Sequence, residues 1–241
     1  MEQLTRQIRN LRLFVAFLAV IVIGCLIAIG YLARRTNTFT ELTAQRINIV
    51  EPDGRLALVI SDHANQHPGA MNGKDFPKRD RSAGMIFFNT EGDECGGLVY
   101  DGTKQSASMV YSIDQYKNDQ IMQIQYQQDS DKALTRSYGL KLWDRSDRFT
   151  LQNESDYFDS LNKLHDTAAV NAAVKDLRAR GLLGTERLFL GRTREGQTGL
   201  FLRDDKGIPR LRIYIDRQNQ PLIETLDEKG EVISSGRLDK R

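Results

Sequence analysis

Residues 13–33 read LFVAFLAVIVIGCLIAIGYLA, and no charge interrupts them. As a helix rising 1.5 Å per residue they extend about 32 Å, close to the roughly 30 Å hydrocarbon core of a bilayer. Arg12 closes one end and Arg34–Arg35 the other, and Tyr31 sits where an amphipathic ring favours the interface. The expectation is a single transmembrane helix that makes the lipid bilayer this chain's first partner. A cleaved signal peptide is the competing reading, because Ala28-Ile29-Gly30 has the small-x-small form of a cleavage site. The apolar run is already long before Ala28 and continues past that point through Tyr31 and Leu32, which favours the anchor. The chain then divides into a short basic tail over 1–12, the helix over 13–33, a polar linker over 36–44 and a β-rich domain over 45–241.

Charge sets the orientation and removes one class of partner. Arg6, Arg9 and Arg12 precede the helix, against Arg34 and Arg35 after it. Basic flanks stay in the cytoplasm, so the longer cluster predicts N-in, C-out, with the β domain periplasmic or otherwise extracytoplasmic. Residues 1–35 hold five of the 34 basic residues and one of the 32 acidic ones, leaving 29 and 31, a net of −2 for the rest. A domain of that charge lacks the basic face that nucleic acid requires, so no nucleic-acid partner is expected. Cys25 lies in the apolar helix and Cys95 in the β domain, so no internal disulfide framework is available.

Beyond the linker, strand signals recur. RINIV at 46–50 and LALVI at 56–60 flank Glu51-Pro52-Asp53-Gly54 and read as a hairpin. Residues 61–82 are polar and rich in Gly and Pro, and read as a long loop. Strands are expected at Met85–Phe88, Leu98–Tyr100, Ser108–Ile113, Ile121–Tyr126 and Tyr138–Trp143. From Ser155 to Arg180 the period changes: Phe158, Leu161, Leu164, Ala168, Ala172 and Leu177 recur at helical spacing. One amphipathic helix is expected over 155–180, capped by Ser155 and Gly181, with a break near Asp166-Thr167 allowed. It should pack through Phe158, Leu161 and Leu164.

The last third is the most regular. Turn residues Gly196, Gly207, Asn219 and Gly230 fall 11, 12 and 11 residues apart, with GLFLR, PRLRIYI and PLIETL between them. In the second of these, Leu211, Ile213 and Ile215 alternate with Arg210, Arg212 and Tyr214, the pattern of a half-buried antiparallel sheet. Asp53-Gly54 and Glu91-Gly92 look like looser copies of the same turn. The fold class is therefore mainly β: an antiparallel meander, as sandwich, barrel or curved open sheet, with one amphipathic helix, behind a single transmembrane helix.

QRINIVEPDGRLALVISD, SAGMIFFNTEGDECGGLVYDG and SIDQYKNDQ occur in that order. They resemble an uncharacterised family of bacterial β-rich proteins, whose members carry an RINIVEPDG turn, a GM-FFN-EG-E-GGL segment and a DQY-QDQ segment. The resemblance covers residues 41–125 and returns around 187–233. It implies common descent and no function. Cys95 stands where the family carries an uncharged polar residue, usually Asn, which argues against a shared nucleophile.

The candidates for chemistry are sparse. Cys95 lies in the acidic turn GDECGG, where Glu91, Asp93 and Glu94 would raise a thiol pKa rather than lower it. His63 and His67, with Asp62, could form a metal site from a loop, although their i, i+4 spacing suits a metal only on a helix. Asn89, Glu91 and Asp93 could offer oxygens to calcium but lack the further ligands of a full loop. Lys78, Arg79 and Arg81 form a basic cluster that would suit anionic headgroups if the loop met the bilayer. Gly24 and Ala28 form a small-xxx-small pair in the anchor. No catalytic residue and no cofactor are assigned. The expected function is a membrane-tethered, non-enzymatic interaction or structural module of the cell envelope, with another envelope protein as a candidate partner. The rival is an envelope enzyme of hydrolase type that uses polar residues of the 61–82 loop.

Overall fold

A computed structural model describes residues 2–34, 38–130 and 133–237. Arg35, the first two residues of the predicted 36–44 linker and the last four residues of the predicted 45–241 domain lie outside the described residues. Residues 1–43 and 44–241 form two separate compact units.

In the first unit, α1 (Glu2–Arg34) is one continuous helix, long and apolar enough to cross a membrane. It begins well ahead of the apolar run, so the predicted basic tail over 1–12 is helical from Glu2 onward. Arg6, Arg9 and Arg12 are good helix formers, and nothing in the tail breaks the helix.

The second unit is built on one antiparallel sheet of 12 strands. Its strands are β1 (Arg46–Val50), β2 (Leu56–Ser61), β5 (Ala83–Phe88), β6 (Glu94–Gly102), β7 (Ser106–Asp114), β8 (Gln120–Asp129) and β9 (Thr135–Asp144), followed by β10 (Thr185–Arg192), β11 (Thr198–Arg203), β12 (Pro209–Ile215), β13 (Pro221–Leu226) and β14 (Val232–Arg237). β3 (Ala70–Met71) and β4 (Lys74–Asp75) form a small hairpin of their own. Each strand of the main sheet pairs with the next in chain order, so the fold is an open meander. The sequence reading has no strand at β10 or β14. β10 carries apolar residues on both faces (Leu188, Phe189, Leu190) and so lacks alternation, while β14 is rich in Ser and Gly.

The turns explain the regular spacing. Asp204, Asp216, Asp227 and Asn89 each accept two backbone N–H groups through Oδ1, from the residues two and four places on. In each, the fourth residue (Gly207, Asn219, Gly230, Gly92) takes a positive φ of 80°, 59°, 80° and 84°. Only glycine or asparagine enters that region cheaply, which is why those types recur. The backbone hydrogen bonds lower the pKa of Asp204 and Asp227.

The helical segment predicted over 155–180 takes the break allowed near Asp166-Thr167 and forms two helices. α2 (Leu151–Asn162) starts earlier, capped by Thr150 rather than Ser155, and Asn153 closes a capping box. α3 (Thr167–Ala179) is capped by Asp166, whose carboxylate accepts from Ala168 and Ala169. His165, at φ 51°, makes the break. The expected packing through Phe158, Leu161 and Leu164 also needs correction. No residue of α2 is buried, and Leu164 is 66 % exposed at the break. The buried pair is Ala173 and Leu177 of α3.

Cross-strand register assigns every residue to one of two faces, because directly opposed antiparallel residues point the same way. The buried side chains of the main sheet all fall on one face, here the covered face: Val59, Ile86, Phe88, Phe189, Tyr214 and Leu226 with Ser61, Gln125 and Ser137. No side chain on the opposite, open face is buried among the described residues. The alternation expected in β12 is present, but its sides are reversed. Tyr214 is 7 % exposed, whereas Ile213 and Ile215 are 39 % and 43 % exposed.

Candidate functional site

The 61–82 segment is folded rather than a solvated loop. Ala70 joins Val59, Ile86 and Phe88 in the core cluster on the covered face, and Met71 is 2 % exposed. His67 is buried and meets Phe88 edge-on, with ring centroids 4.9 Å apart. Its Nδ1 accepts the Gly69 N–H at 3.0 Å, which leaves Nε2 to carry the proton. Burial lowers its pKa, with the Asp75 carboxylate opposing. Gly69 has φ 95°, and a Cβ there would collide with the Glu94 carboxylate. Asp93, 1 % exposed, holds the segment down: it accepts from the Asn72 N–H at 2.6 Å and pairs with Lys117.

This arrangement separates the metal candidates. His63 pairs with Asp80 on the surface, His67 is committed to the core, and Asp62 accepts from the Asn65 backbone and side chain. Three hydrogen-bonding needs, met separately, pull the ring nitrogens and the carboxylate to different partners. Among the described residues, no group of three or more His, Cys, Asp or Glu gathers as a metal would require. The calcium candidates are also engaged. Asn89 closes its turn, Glu91 pairs with Lys117 and Tyr116, and Asp93 pins Asn72.

A cleft of about 760 Å³ opens between the covered face, the folded segment and α2. Its lining includes Phe76, Arg79 and Arg81 from the segment, Asp114 and Asp119 from the β7–β8 region, and Ser155 and Asp159 from α2. Arg79 and Arg81 of the basic cluster thus bond to protein, while Lys78 stays exposed. Arg81 grips Glu94 through two bonds of 2.8 and 2.7 Å, and Arg79 donates to the Pro68 carbonyl at 3.0 Å. Burial lowers the Arg79 pKa, with Arg81 adding to it. Asp114 is the least satisfied group. Its Oδ1 is buried without a hydrogen-bond partner, and burial, reinforced by Asp119 and Glu94, raises its pKa to about 7. Perturbed carboxyls in clefts are candidates for chemistry. Sequence reasoning missed Asp114, since nothing in SIDQYK distinguishes it from the solvated carboxylates around it. Cys95 is half-buried, and burial followed by Asp114, Glu94 and Asp93 raises its pKa, as its acidic surroundings predict.

The open face is the larger feature. One cross-strand row runs Ile47, Ile60, Met85, Leu98, Tyr111, Ile124, Leu140, Leu190, Leu200, Ile213 and Ile223, with an apolar residue in every strand but the last. The next runs Leu58, Phe87, Gly96, Ile113, Met122, Leu142, Leu188, Leu202 and Leu211. A third begins Ala83, Tyr100, Met109, Tyr126 and Tyr138 before meeting Arg192. Neither of the first two rows contains a charge. The side chains of these two rows are half-buried or exposed, with Ile113, Ile124, Leu190 and Ile213 the most open, and a contiguous apolar area of this kind marks an interaction surface. The covered face is the more polar one, with Lys141 paired to Glu186 at 3.0 Å and Glu186 to Arg203 at 3.2 Å.

No known protein family, curated protein or solved structure matches the chain. The family resemblance stated above rests on its quoted phrases alone.

Proposed function

We propose that this protein is a non-enzymatic interaction module of the cell envelope, tethered to a membrane by α1, whose working surface is the open face of the sheet. The observation that carries the reading is the pair of charge-free apolar rows left uncovered across the sheet. Exposing so much apolar area costs about 25 cal/mol per Å² relative to burial. A chain that keeps such a face gains when a partner covers it. The tether confines the domain to two dimensions and so raises its encounter rate with other membrane-bound partners. The basic residues ahead of the anchor favour a cytoplasmic N-terminus and an extracytoplasmic sheet.

Two measurements test this. In membranes solubilised gently, the full-length protein should migrate larger than a single chain, and Leu190→Asp should release it to single-chain size. Single-chain migration of the unaltered protein would overturn the reading. For orientation, a cysteine placed at the exposed turn residue Lys206 should react with an impermeant thiol reagent in intact spheroplasts; reaction only after lysis would reverse the topology. A second reading is favoured by Asp114 alone: an envelope enzyme of hydrolase type working in the cleft that the 61–82 segment helps to line. It requires turnover of a substrate by the purified protein that Asp114→Asn abolishes.

A further inference from the structure

The open face calls for an occupant with dimensions and chemistry that can be worked out. Twelve strands at about 4.8 Å spacing extend the face roughly 53 Å from the first strand to the last. Two rows of apolar side chains cross most of the strands and a third crosses five, each row about 7 Å deep. The apolar footprint is therefore about 800 Å², level with the roughly 800 Å² per partner of a stable protein–protein interface. Its make-up matches interface anatomy, with an apolar centre and a charged margin. Arg136 and Arg192 fall at one margin, and Asp144 with Arg187 at the other.

Three kinds of occupant fit these chemical terms unequally. A single peptide strand or helix covers only part of a face this wide. A bilayer taking the face into its hydrocarbon would also take the edge strands β1 and β14, whose outer N–H and C=O groups have no partner in the sheet. Unpaired backbone is not tolerated in lipid, so the sheet does not lie in the hydrocarbon. A second apolar sheet face of equal size covers the whole surface and leaves both edges in water. Sheets pack face to face in this way at about 10 Å, with interdigitating apolar side chains. Another copy of this chain supplies such a face by construction. The absence of charge from the two central rows removes the like-charge repulsion that self-pairing would otherwise bring. Copies tethered to one membrane are also related naturally by a twofold axis along the membrane normal, and a twofold pairs a patch with itself.

We infer that the open faces of two copies pack on each other, so that the working unit is a two-layer sandwich assembled from two chains. This rests on the reading of the open face as the working surface and names what occupies it. The covered faces, with their clefts, then point outward on both sides of the sandwich.

Photocrosslinking of the full-length protein in intact membranes tests the pairing. A photoreactive amino acid replaces Ile124 or Leu190, which are 46 % and 49 % exposed, or Lys206 as a control in an exposed turn. Two differently tagged forms are co-expressed. The expected result is a mixed-tag dimer from Ile124 and Leu190, an order of magnitude more abundant than from Lys206, and lost when Ile213→Asp is added. Since Ile213 is already 39 % exposed, that variant should keep its strand spectrum by circular dichroism. Crosslinks to another protein, or lipid adducts found by mass spectrometry, would overturn the pairing while leaving the face as the working surface. No adduct from either apolar site would overturn both.

Discussion

Along the covered face one cross-strand row reads Val59, Ile86, Gly97, Ser112, Gln123, Lys141, Phe189, Phe201, Arg212 and Glu224. One residue along each strand, the open face reads Ile60, Met85, Leu98, Tyr111, Ile124, Leu140, Leu190, Leu200, Ile213 and Ile223. The mixed row contains three of the buried side chains of the sheet, Val59, Ile86 and Phe189, and the apolar row contains none. Within a lone domain this is the reverse of the ordinary relation between hydrophobicity and burial. The covered face reaches burial by specific means. At the β1–β6 end the folded 61–82 segment seals Val59, Ile86 and Phe88. Toward β12, Phe189, Phe201 and Tyr214 stack with centroids 5.8 and 5.9 Å apart. They lie beside a row of glycines, Gly139, Gly191 and Gly199, where a Cβ would collide with the backbone of the next strand. The open face needs nothing so particular, because lateral contacts along the sheet, such as Phe87 of β5 edge-on to Tyr111 of β7 across β6, cover only the flanks of its side chains.

The largest effect should come from making similar truncations on the two faces. Ile86→Ala removes a fully buried side chain and should cost on the order of 2–5 kcal/mol in denaturant unfolding. Leu190→Ala should cost less than about 1 kcal/mol in dilute detergent solution, because half of the side chain is already in water. If a second copy covers the face, that smaller cost should rise with protein concentration. Equal costs at all concentrations would erase the distinction between the faces.

Asp93→Ala comes next. It should destabilise by roughly 2–3 kcal/mol, less than a fully buried pair, because Lys117 can turn to water. It should also speed hydrogen exchange at the Asn72 amide, which Asp93 holds. Exchange unchanged at Asn72 would mean that the segment is held by its apolar contacts alone.

Asp114 gives a pH signature belonging to the covered face. Its folded pKa of about 7 lies above the ordinary 3.8, so the folded state favours the protonated carboxyl. That contribution is complete below about pH 4 and lost as pH rises through about 7. Asp114→Asn should therefore stabilise the protein by roughly 1–3 kcal/mol at pH 8 and change little at pH 4. A pH-independent effect would remove the buried-carboxyl account. The smallest effects belong to α2 and the break after it: Leu161→Ala, half-buried, should cost about 1 kcal/mol, and Leu164→Ala less than about 0.5 kcal/mol. A larger cost at Leu164 would show that the break between α2 and α3 is covered in the assembled protein.

Much of this was legible from local chemistry. The uncharged apolar run predicts a membrane-crossing helix, because length and composition alone set that match. The turn residues from Gly196 to Gly230 predict a meander, since a positive φ is a property of one residue and its neighbours. Alternation in PRLRIYI shows correctly which side chains share a face. The candidate site was less legible. The raised pKa of the Cys95 thiol could be read in part from adjacent acids, although burial contributes most, but Asp114 looks like any turn carboxylate until Asp119, Glu94 and the folded segment close around it.

Only the tertiary structure decided which face is covered. Periodicity reports that two sides differ, and it is blind to what is laid over either one. The Gly- and Pro-rich 61–82 segment reads as a polar loop, yet His67, Ala70 and Met71 turn inward once Gly69 takes its left-handed φ and Asp93 captures Asn72. Those are contacts across 21 residues and more of chain, and long-range contacts of that kind leave no period in the sequence. The sequence by itself determined a helix long and apolar enough to cross a membrane and an antiparallel meander with two unlike faces. The fold decided that the mixed face would be buried and the apolar one left open, because burial depends on which segments can reach and fit a surface as well as on how much that surface would gain by leaving water.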